Sequence, residues 1–323
     1  MSRESFKPLG FANYLVDTGD YRKADKQFLH WGGTHWEEID EHDMQSLALD
    51  WIEEFGGHGN ASCNNAKQAC ATAMLRLSKL TEPSKETIVP VLNGYVHLDA
   101  TGVKLLPHDK ELGLRHVIKC NFDPTAPTSV VFERFIEWIL PDAAVRQRVQ
   151  EYIGYTLQPD ARHQIAQFWL GSGANGKGVL ANIVQALHHR VAAVNLDQLN
   201  NFNMTETVNA SLIYCDEAPQ GRISDSTFKM VTAGEKVAIN RKYRDPISTR
   251  ILGKWLILGN HVPTITDHSE GFWRRLDIIP FDVTIPVAER DPLLANHIIE
   301  HELSGVLNWA LEGAVRLLAR GGL

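Results

Sequence analysis

The stretch Gly171-Ser172-Gly173-Ala174-Asn175-Gly176-Lys177 constrains this chain more than any other. It follows the apolar run Ile165–Leu170 and opens into Val179–Leu187, whose spacing predicts a helix. A strand, a glycine-rich turn and a helix, with lysine closing the turn, is the order of a phosphate-binding loop. The glycines let successive backbone N–H groups curl round an anionic phosphate, and the helix N-terminus adds a favourable dipole. Lys177 would bring a point charge to the β- and γ-phosphates, and the cradle would run on through Gly178 and Val179. The position after the lysine, normally Ser or Thr, is Gly178, so the usual hydroxyl ligand to Mg²⁺ is missing. Such a pattern arises by chance at roughly 3 in 10,000 positions, so other groups have to support the loop.

A chain of 323 residues, 44% hydrophobic and 22% charged, can bury a large core and has room for two or three domains. It holds no uninterrupted apolar run of membrane-spanning length and no apolar signal region at its start. Cys63, Cys70, Cys120 and Cys215 lack metal-ligand spacing and read as reduced thiols of a cytoplasmic protein. The net charge of −7 argues against a basic coat for duplex DNA, but not against a local basic patch. Residues 36–57 carry eight acidic residues and no Lys or Arg, whereas 241–275 carry seven basic and three acidic ones.

The first 120 or so residues read as a mixed α/β region. Phe28–Trp31 and Thr34–Trp36 flank Gly32-Gly33 and predict a hairpin with a two-residue turn. Helical periodicity follows over 44–55 and 66–80, then short strands at 89–92, 95–98 and 103–106. Asp123–Pro127 reads as a linker. Two helices are expected over 130–140 and 143–157, with Asp142 as an N-cap between them. From Gln164 on, strands and helices alternate as in an α/β sheet, with strands at 211–215, 255–259 and 276–281.

Polar residues at the carboxyl ends of such strands are where an α/β sheet binds its ligands. Asp216-Glu217 closes one apolar strand; one carboxylate suits Mg²⁺ and the other an attacking water. Asn260 closes a second strand and could hydrogen-bond that water or the γ-phosphate. Arg274 and Arg275, before the last strand, could deliver positive charge to a transferring phosphoryl group. Arg241-Lys242-Tyr243-Arg244 lies between β-like segments and suits single-stranded DNA: cations for the phosphates, a ring for stacking. His297-Ile298-Ile299-Glu300-His301 matches an inverted zinc-protease pattern but reads as a helical polar face.

The order of these groups resembles the superfamily-three helicases, specifically the C-terminal part of phage and plasmid primases related to the poxvirus primase-helicase. The residues that carry the likeness are 171–177, Asp216-Glu217, Phe228-Lys229 with Thr232-Ala233-Gly234-Glu235, the 241–244 hairpin, Gly259-Asn260-x-x-Pro263 and Arg274-Arg275-x-x-x-Ile279-Pro280-Phe281. Upstream, Leu92-Asn93-Gly94, Leu106-Pro107-His108 and Gln150–Tyr155 resemble that family's helicase-associated region. The resemblance implies an AAA+-like P-loop ATPase core at 164–323, a helical collar at 126–163 and a mixed α/β N-terminal region at 1–125. It implies ATP and Mg²⁺ as cofactors, a homo-oligomeric ring, usually a hexamer, and hairpins that grip single-stranded DNA. It suggests a separate primase-polymerase as partner and a bacterial host cell's cytoplasm as location, with no membrane attachment.

Residue by residue, Lys177 would bind phosphate, Asp216 and Glu217 would serve Mg²⁺ and water, and Asn260 would sense the nucleotide. Arg274 or Arg275 would reach a neighbour's site, with Arg275 slightly favoured, and Lys242 would lead the DNA contacts, with Arg241 and Arg244 next. Lys229 would support the nucleotide site or the interface. A nucleotide-switched DNA-loading ATPase and a P-loop small-molecule kinase remain as alternatives.

Overall fold

In a computed structural model, the protein is described over residues 6–24, 26–82, 86–127, 129–199, 204–221, 223–241 and 244–322. Its contacts divide it into two compact units, Met1–Ser84 with Asp109–Arg115, and Lys85–His108 with His116–Leu323.

The first unit contains α1 (Pro8–Thr18), β1 (Tyr21–Ala24), β2 (Gln27–Trp31), β3 (Trp36–Ile39), α2 (Glu41–Phe55) and α3 (Cys63–Arg76). Asp40 caps α2 by accepting from His42 N–H, and Ser62 caps α3 by accepting from Asn65 N–H. Phe11, Ala12 and Leu15 of α1 join Met44, Ala48 and Ile52 of α2 in one core, and the small Ala66, Ala69 and Ala73 of α3 complete it. The three strands form an antiparallel sheet. The hairpin turn is longer than the two glycines predict. Trp31 pairs with Trp36, their rings 5.6 Å apart, and Gly32 N–H donates to His35 O at 3.2 Å. The tryptophan pair thus closes a loop of residues 32–35, and Thr34 and His35 leave the strand.

The second unit opens with an antiparallel meander of β4 (Ile88–Val91), β5 (Gly94–Asp99) and β6 (Gly102–Leu106). Helices α4 (Val130–Ile139) and α5 (Ala143–Thr156) follow, with Asp142 accepting from Ala144 and Val145 N–H. Next come β7 (Ala166–Leu170), α6 (Lys177–Leu187), β8 (Val191–Ala193), β9 (Leu212–Cys215), α7 (Asp225–Thr232), β10 (Lys236–Arg241) and β11 (Arg244–Arg250). The unit ends with β12 (Lys254–Gly259), α8 (Glu270–Trp273), β13 (Leu276–Pro280), α9 (Leu294–His301) and α10 (Leu303–Arg320).

Five of these strands form a sheet in the order β13-β7-β12-β9-β8, every pair parallel. Central β12 is buried along its whole length, as the apolar run Trp255–Gly259 after its first residue requires. Alternation sorts its side chains: Leu256 and Leu258 join Trp169, Leu212 and the α6 residues Leu180, Ile183 and Val184, whereas Trp255 and Ile257 join Phe168, Ile213, Phe228 and Phe272. Phe132, Ile136, Val149 and Ile153 of α4 and α5 belong to the first of these clusters. Helices α5 and α10 meet through glycines: a Cβ on Gly154 would lie 2.3 Å from Ala310 O, and one on Gly313 2.4 Å from Gln150 O. Beside them Glu151, 1% exposed, receives Arg316 at 2.8 Å and Arg320 at 2.5 Å. Among the described residues, no helix is long and apolar enough to cross a membrane.

Lys254, at the start of β12, is 3% exposed, donates to Gln158 O and sits 5.1 Å from the centroid of the Tyr155 ring. Burial brings its pKa down to about 7, with Asp160 opposing and Arg162 assisting. In the unfolded chain the lysine keeps its proton to about 10.5. Between those values the unfolded state binds more protons, so this group makes stability rise with pH from about 7 to 10. Below that window the lysine is charged in both states and its burial penalty is fully present. Lys254→Met should therefore shrink the gain in denaturant-unfolding free energy between pH 6.5 and 9.5, by an amount on the order of a few kcal/mol.

Candidate phosphate-binding edge

The loop after β7 stays tied to the sheet because Gly171 N–H donates to Gly259 O at 3.1 Å. A Cβ on Gly171 would lie 2.2 Å from Asn175 Nδ2 and 2.5 Å from Phe281 O, so the position tolerates no side chain. Gly173 (φ 101), Ala174 (φ 52) and Gly176 (φ 81) adopt left-handed backbone, turning the chain so that α6 begins at Lys177. Gly176 is doubly constrained, since a Cβ there would lie 2.6 Å from Ile139 Cγ2. Ala174 O accepts from Ile285 N–H at 2.8 Å.

Asn175 is buried within the loop. Its Nδ2 donates to Phe281 O at 3.1 Å, and its Oδ1 accepts from Lys177 Nζ at 3.2 Å. Lys177 Nζ also donates to Gly171 O at 2.7 Å. The lysine is 6% exposed, and burial pushes its pKa down. Both acceptors are neutral, so a half-desolvated ammonium is held in a glycine cradle with no anion bonded to it among the described residues. Ser172 and Gly178 are exposed, and Val179 packs against the α6-side core. A Cβ on Gly178 would meet nothing within 4 Å.

Parallel strands bring the polar strand ends to one edge of the sheet. Gly259 lies opposite Leu170, which sets Asn260 beside the start of the loop, and Ile257 lies opposite Cys215, which sets Asp216 one strand further on. The loop start and Asp216 are thus about 10 Å apart laterally, two interstrand spacings. Asp216, Glu217 and Asn260 are all exposed there. Ala218 N–H donates to Leu258 O at 2.7 Å and carries the pairing past the carboxylates. Tyr214 Oη donates to Asp216 Oδ1 at 2.5 Å. Burial and the adjoining carboxylate hold that phenol protonated, well above its ordinary pKa.

The two arginines diverge. Arg274 is exposed, whereas Arg275 is 9% exposed, donates to Gly271 O and reaches Gln164 Oε1 at 3.4 Å. Arg275 O also accepts from Ala166 N–H at 2.8 Å, anchoring the residue to β7. Lys229 is paired with Asp267 at 2.6 Å. The β10–β11 hairpin roots Val237, Ile239 and Ile247 in the core opposite α6, with Arg241 and Arg244 paired across its far end. Lys242 and Tyr243, the candidate DNA contacts at its tip, lie outside the described residues. The rings of His297 and His301 are 4.9 Å apart on α9, and among the described residues no three His, Cys, Asp or Glu side chains form a group that could hold a metal. The four cysteines are unpaired.

Two contacts at this edge escape a reading of motifs alone. The Tyr214–Asp216 bond could have been sought from spacing, since residues i and i+2 share a strand face. The bond from Asn175 to Phe281 links segments over a hundred positions apart, and nothing local signals it.

The fold and edge define an α/β protein with a glycine-rich loop and carboxylates at the carboxyl end of a parallel sheet. Residues 10–141 match a family described as "D5 N terminal like", and residues 169–275 a family of unknown function. Among curated proteins, the chain is 24% identical over 176 residues to a protein named as a helicase in Invertebrate iridescent virus 3, covering 49% of this chain and 18% of that one. It is 23% identical over 158 residues to one named as a helicase in Acanthamoeba polyphaga mimivirus, covering 46% and 16%. It is 22% identical over 207 residues to one named as a primase in African swine fever virus, covering 58% and 21%. These matches thus span at most about a fifth of the viral proteins' length. The apo structure of the NrS-1 C-terminal region shares the fold at 14% identity, with a TM-score of 0.62, covering 99% of this chain and 76% of that one. Together these matches make the chain similar to a phage and viral primase-helicase-like family.

Proposed function

We propose that this chain is the ATP-driven motor segment of a DNA helicase that replicates a phage, plasmid or other mobile element, working as a ring of six copies on single-stranded DNA. The observation that carries the reading is Lys177: a buried lysine bonded, among the described residues, only to neutral oxygens, in a glycine cradle, on the sheet edge that bears Asp216, Glu217 and Asn260. Such a group suits a polyphosphate. An exposed carboxylate on the same edge, two strands away, suits a hard cation, so the donor set fits Mg²⁺ with ATP. Asp216 would hold the cation, whose charge would offset that of the phosphates. Glu217 would take the proton of an attacking water and Asn260 would orient that water. Residues 164–323 would form an AAA+-like motor, residues 126–163 its collar and residues 1–125 a helicase-associated region. Arg241, Lys242, Tyr243 and Arg244 would grip single-stranded DNA, and a separate primase-polymerase in the host cytoplasm would supply primers.

The arginine completing a neighbour's site is assigned to Arg274, because Arg274 is exposed whereas Arg275 is 9% exposed and turns inward to Gly271 O and Gln164 Oε1 of its own chain. Rings of Arg274→Ala or of Glu217→Gln alone should turn over ATP poorly. Mixed one to one, they should regain turnover at about a quarter of their interfaces, where an intact Glu217 faces an intact Arg274. Arg275→Ala should instead lower the unfolding temperature through its lost bonds to Gly271 and Gln164. No recovery on mixing would remove the shared site.

The whole reading is tested by particle mass with an ATP analogue and single-stranded DNA, alongside ATP turnover and strand displacement. A hexamer with DNA-stimulated turnover and unwinding is expected. Turnover without strand displacement would make the chain a loading ATPase. A monomer whose turnover ignores DNA would overturn the proposal.

A further inference from the structure

The loop's departure at Gly178 and the bond at Asp216 bear on one question. A serine or threonine at that position would give a cation one hydroxyl ligand and hold the ligand set in order. Gly178 offers neither, and the space a Cβ would enter is open. On β9, Tyr214 lies on the face packed against the cluster that contains Leu180, Ile183 and Val184 of α6, the helix whose first turn carries Gly178. Its ring is half-buried and its hydroxyl reaches forward to the strand end, donating to Asp216 Oδ1 at 2.5 Å. A hydrogen bond to a charged acceptor is among the stronger kinds, and it fixes the rotation of an otherwise exposed carboxylate. It occupies one oxygen and leaves Oδ2 for a cation.

We infer that Tyr214 is a positioning residue for the metal-holding carboxylate. Its hydroxyl locks Asp216 in place and so makes up for the hydroxyl ligand that Gly178 lacks. The inference rests on the nucleotide-site reading above. Preorganised ligands bind without paying to be ordered, and a freely rotating Asp216 would forfeit that advantage.

The test measures Mn²⁺ affinity by electron paramagnetic resonance in the protein loaded with a non-hydrolysable ATP analogue. A fluorescent ATP analogue is titrated separately in EDTA. Tyr214→Phe keeps the buried ring and removes only the hydroxyl. It should weaken Mn²⁺ binding by about 5- to 10-fold, with metal-free nucleotide binding and the unfolding temperature unchanged. Adding Gly178→Ser to Tyr214→Phe should restore most of the lost affinity. Unaltered Mn²⁺ affinity in Tyr214→Phe would overturn the inference, as would an equal loss of nucleotide binding in EDTA. A double variant as weak as Tyr214→Phe alone would show that the two hydroxyls do not substitute for one another, which also overturns it. If the unaltered protein binds neither the analogue nor Mn²⁺, the nucleotide site fails and the inference falls with it.

Discussion

Lys177→Ala should reduce ATP turnover by at least 10²- to 10³-fold, the loss seen when a preorganised charge or donor is removed from a transferring group. The steady-state rate of phosphate release, with and without single-stranded DNA, measures it. The argument starts from the lysine's cost. Lys177 is 6% exposed, its ammonium is partly desolvated, and among the described residues its bonds are to Gly171 O and Asn175 Oδ1. Two neutral acceptors do not repay the loss of water around a full charge. A polyphosphate would, so in the proposed site the binding energy of a nucleotide would be concentrated at this atom. The variant frees Asn175 Oδ1, but Asn175 keeps its bond to Phe281 O, so the loop should still fold. Full activity in a folded Lys177→Ala protein would show that the cradle binds something other than ATP phosphates.

Glu217→Gln should lower turnover by about 10²- to 10⁴-fold while nucleotide affinity stays within about 3-fold, because an amide fills the same space but cannot accept a proton. The side chain is exposed at the end of β9, so stability should not change. Single-turnover hydrolysis alongside equilibrium nucleotide binding separates the two effects. Asp216→Asn should behave differently. It disturbs both the cation and the Tyr214 hydroxyl, and its loss should appear in metal-dependent binding as well as in rate. A Glu217→Gln protein that hydrolyses normally would move the proton acceptor elsewhere on this edge.

The strand, loop and helix around Gly171–Lys177 were legible because glycine offsets act locally: a left-handed backbone at Gly173 and Gly176 is almost a property of the residue type. Strand β12 was legible from its apolar run, and Asp142 from its place before a periodic segment. Other features depend on partners far along the chain. The Gly32-Gly33 pair suggests a short turn, yet the tilted contact of Trp31 with Trp36 across the strands sets the pairing and lengthens the loop. Strand β8 has only three residues, too few for any period to show. Arg274 and Arg275 are chemically identical in sequence. A single residue's step between α8 and β13 sends one to solvent and the other inward, and only the fold distinguishes them. Asn175 reads as a loop residue, and its hold on both Lys177 and the end of β13 becomes visible only when the sheet order is known.

The glycine contact between α5 and α10 has a consequence for how the protein is made. Gly154 leaves the ribosome about 160 residues before Gly313, a delay of roughly 8–30 s at ordinary elongation rates. Until then the face of α5 that carries Gln150 and Gly154 lacks the helix that covers it, and the groove at Gly154 stays open to any other apolar segment. The parallel sheet adds to the wait, since β7 cannot be flanked on both sides until β12 and β13 have been synthesised. The second unit is therefore sealed from its C-terminal end. During synthesis its first-made helices depend on being kept from wrong partners, so the birth of the chain, rather than its finished stability, is where it is most exposed to aggregation.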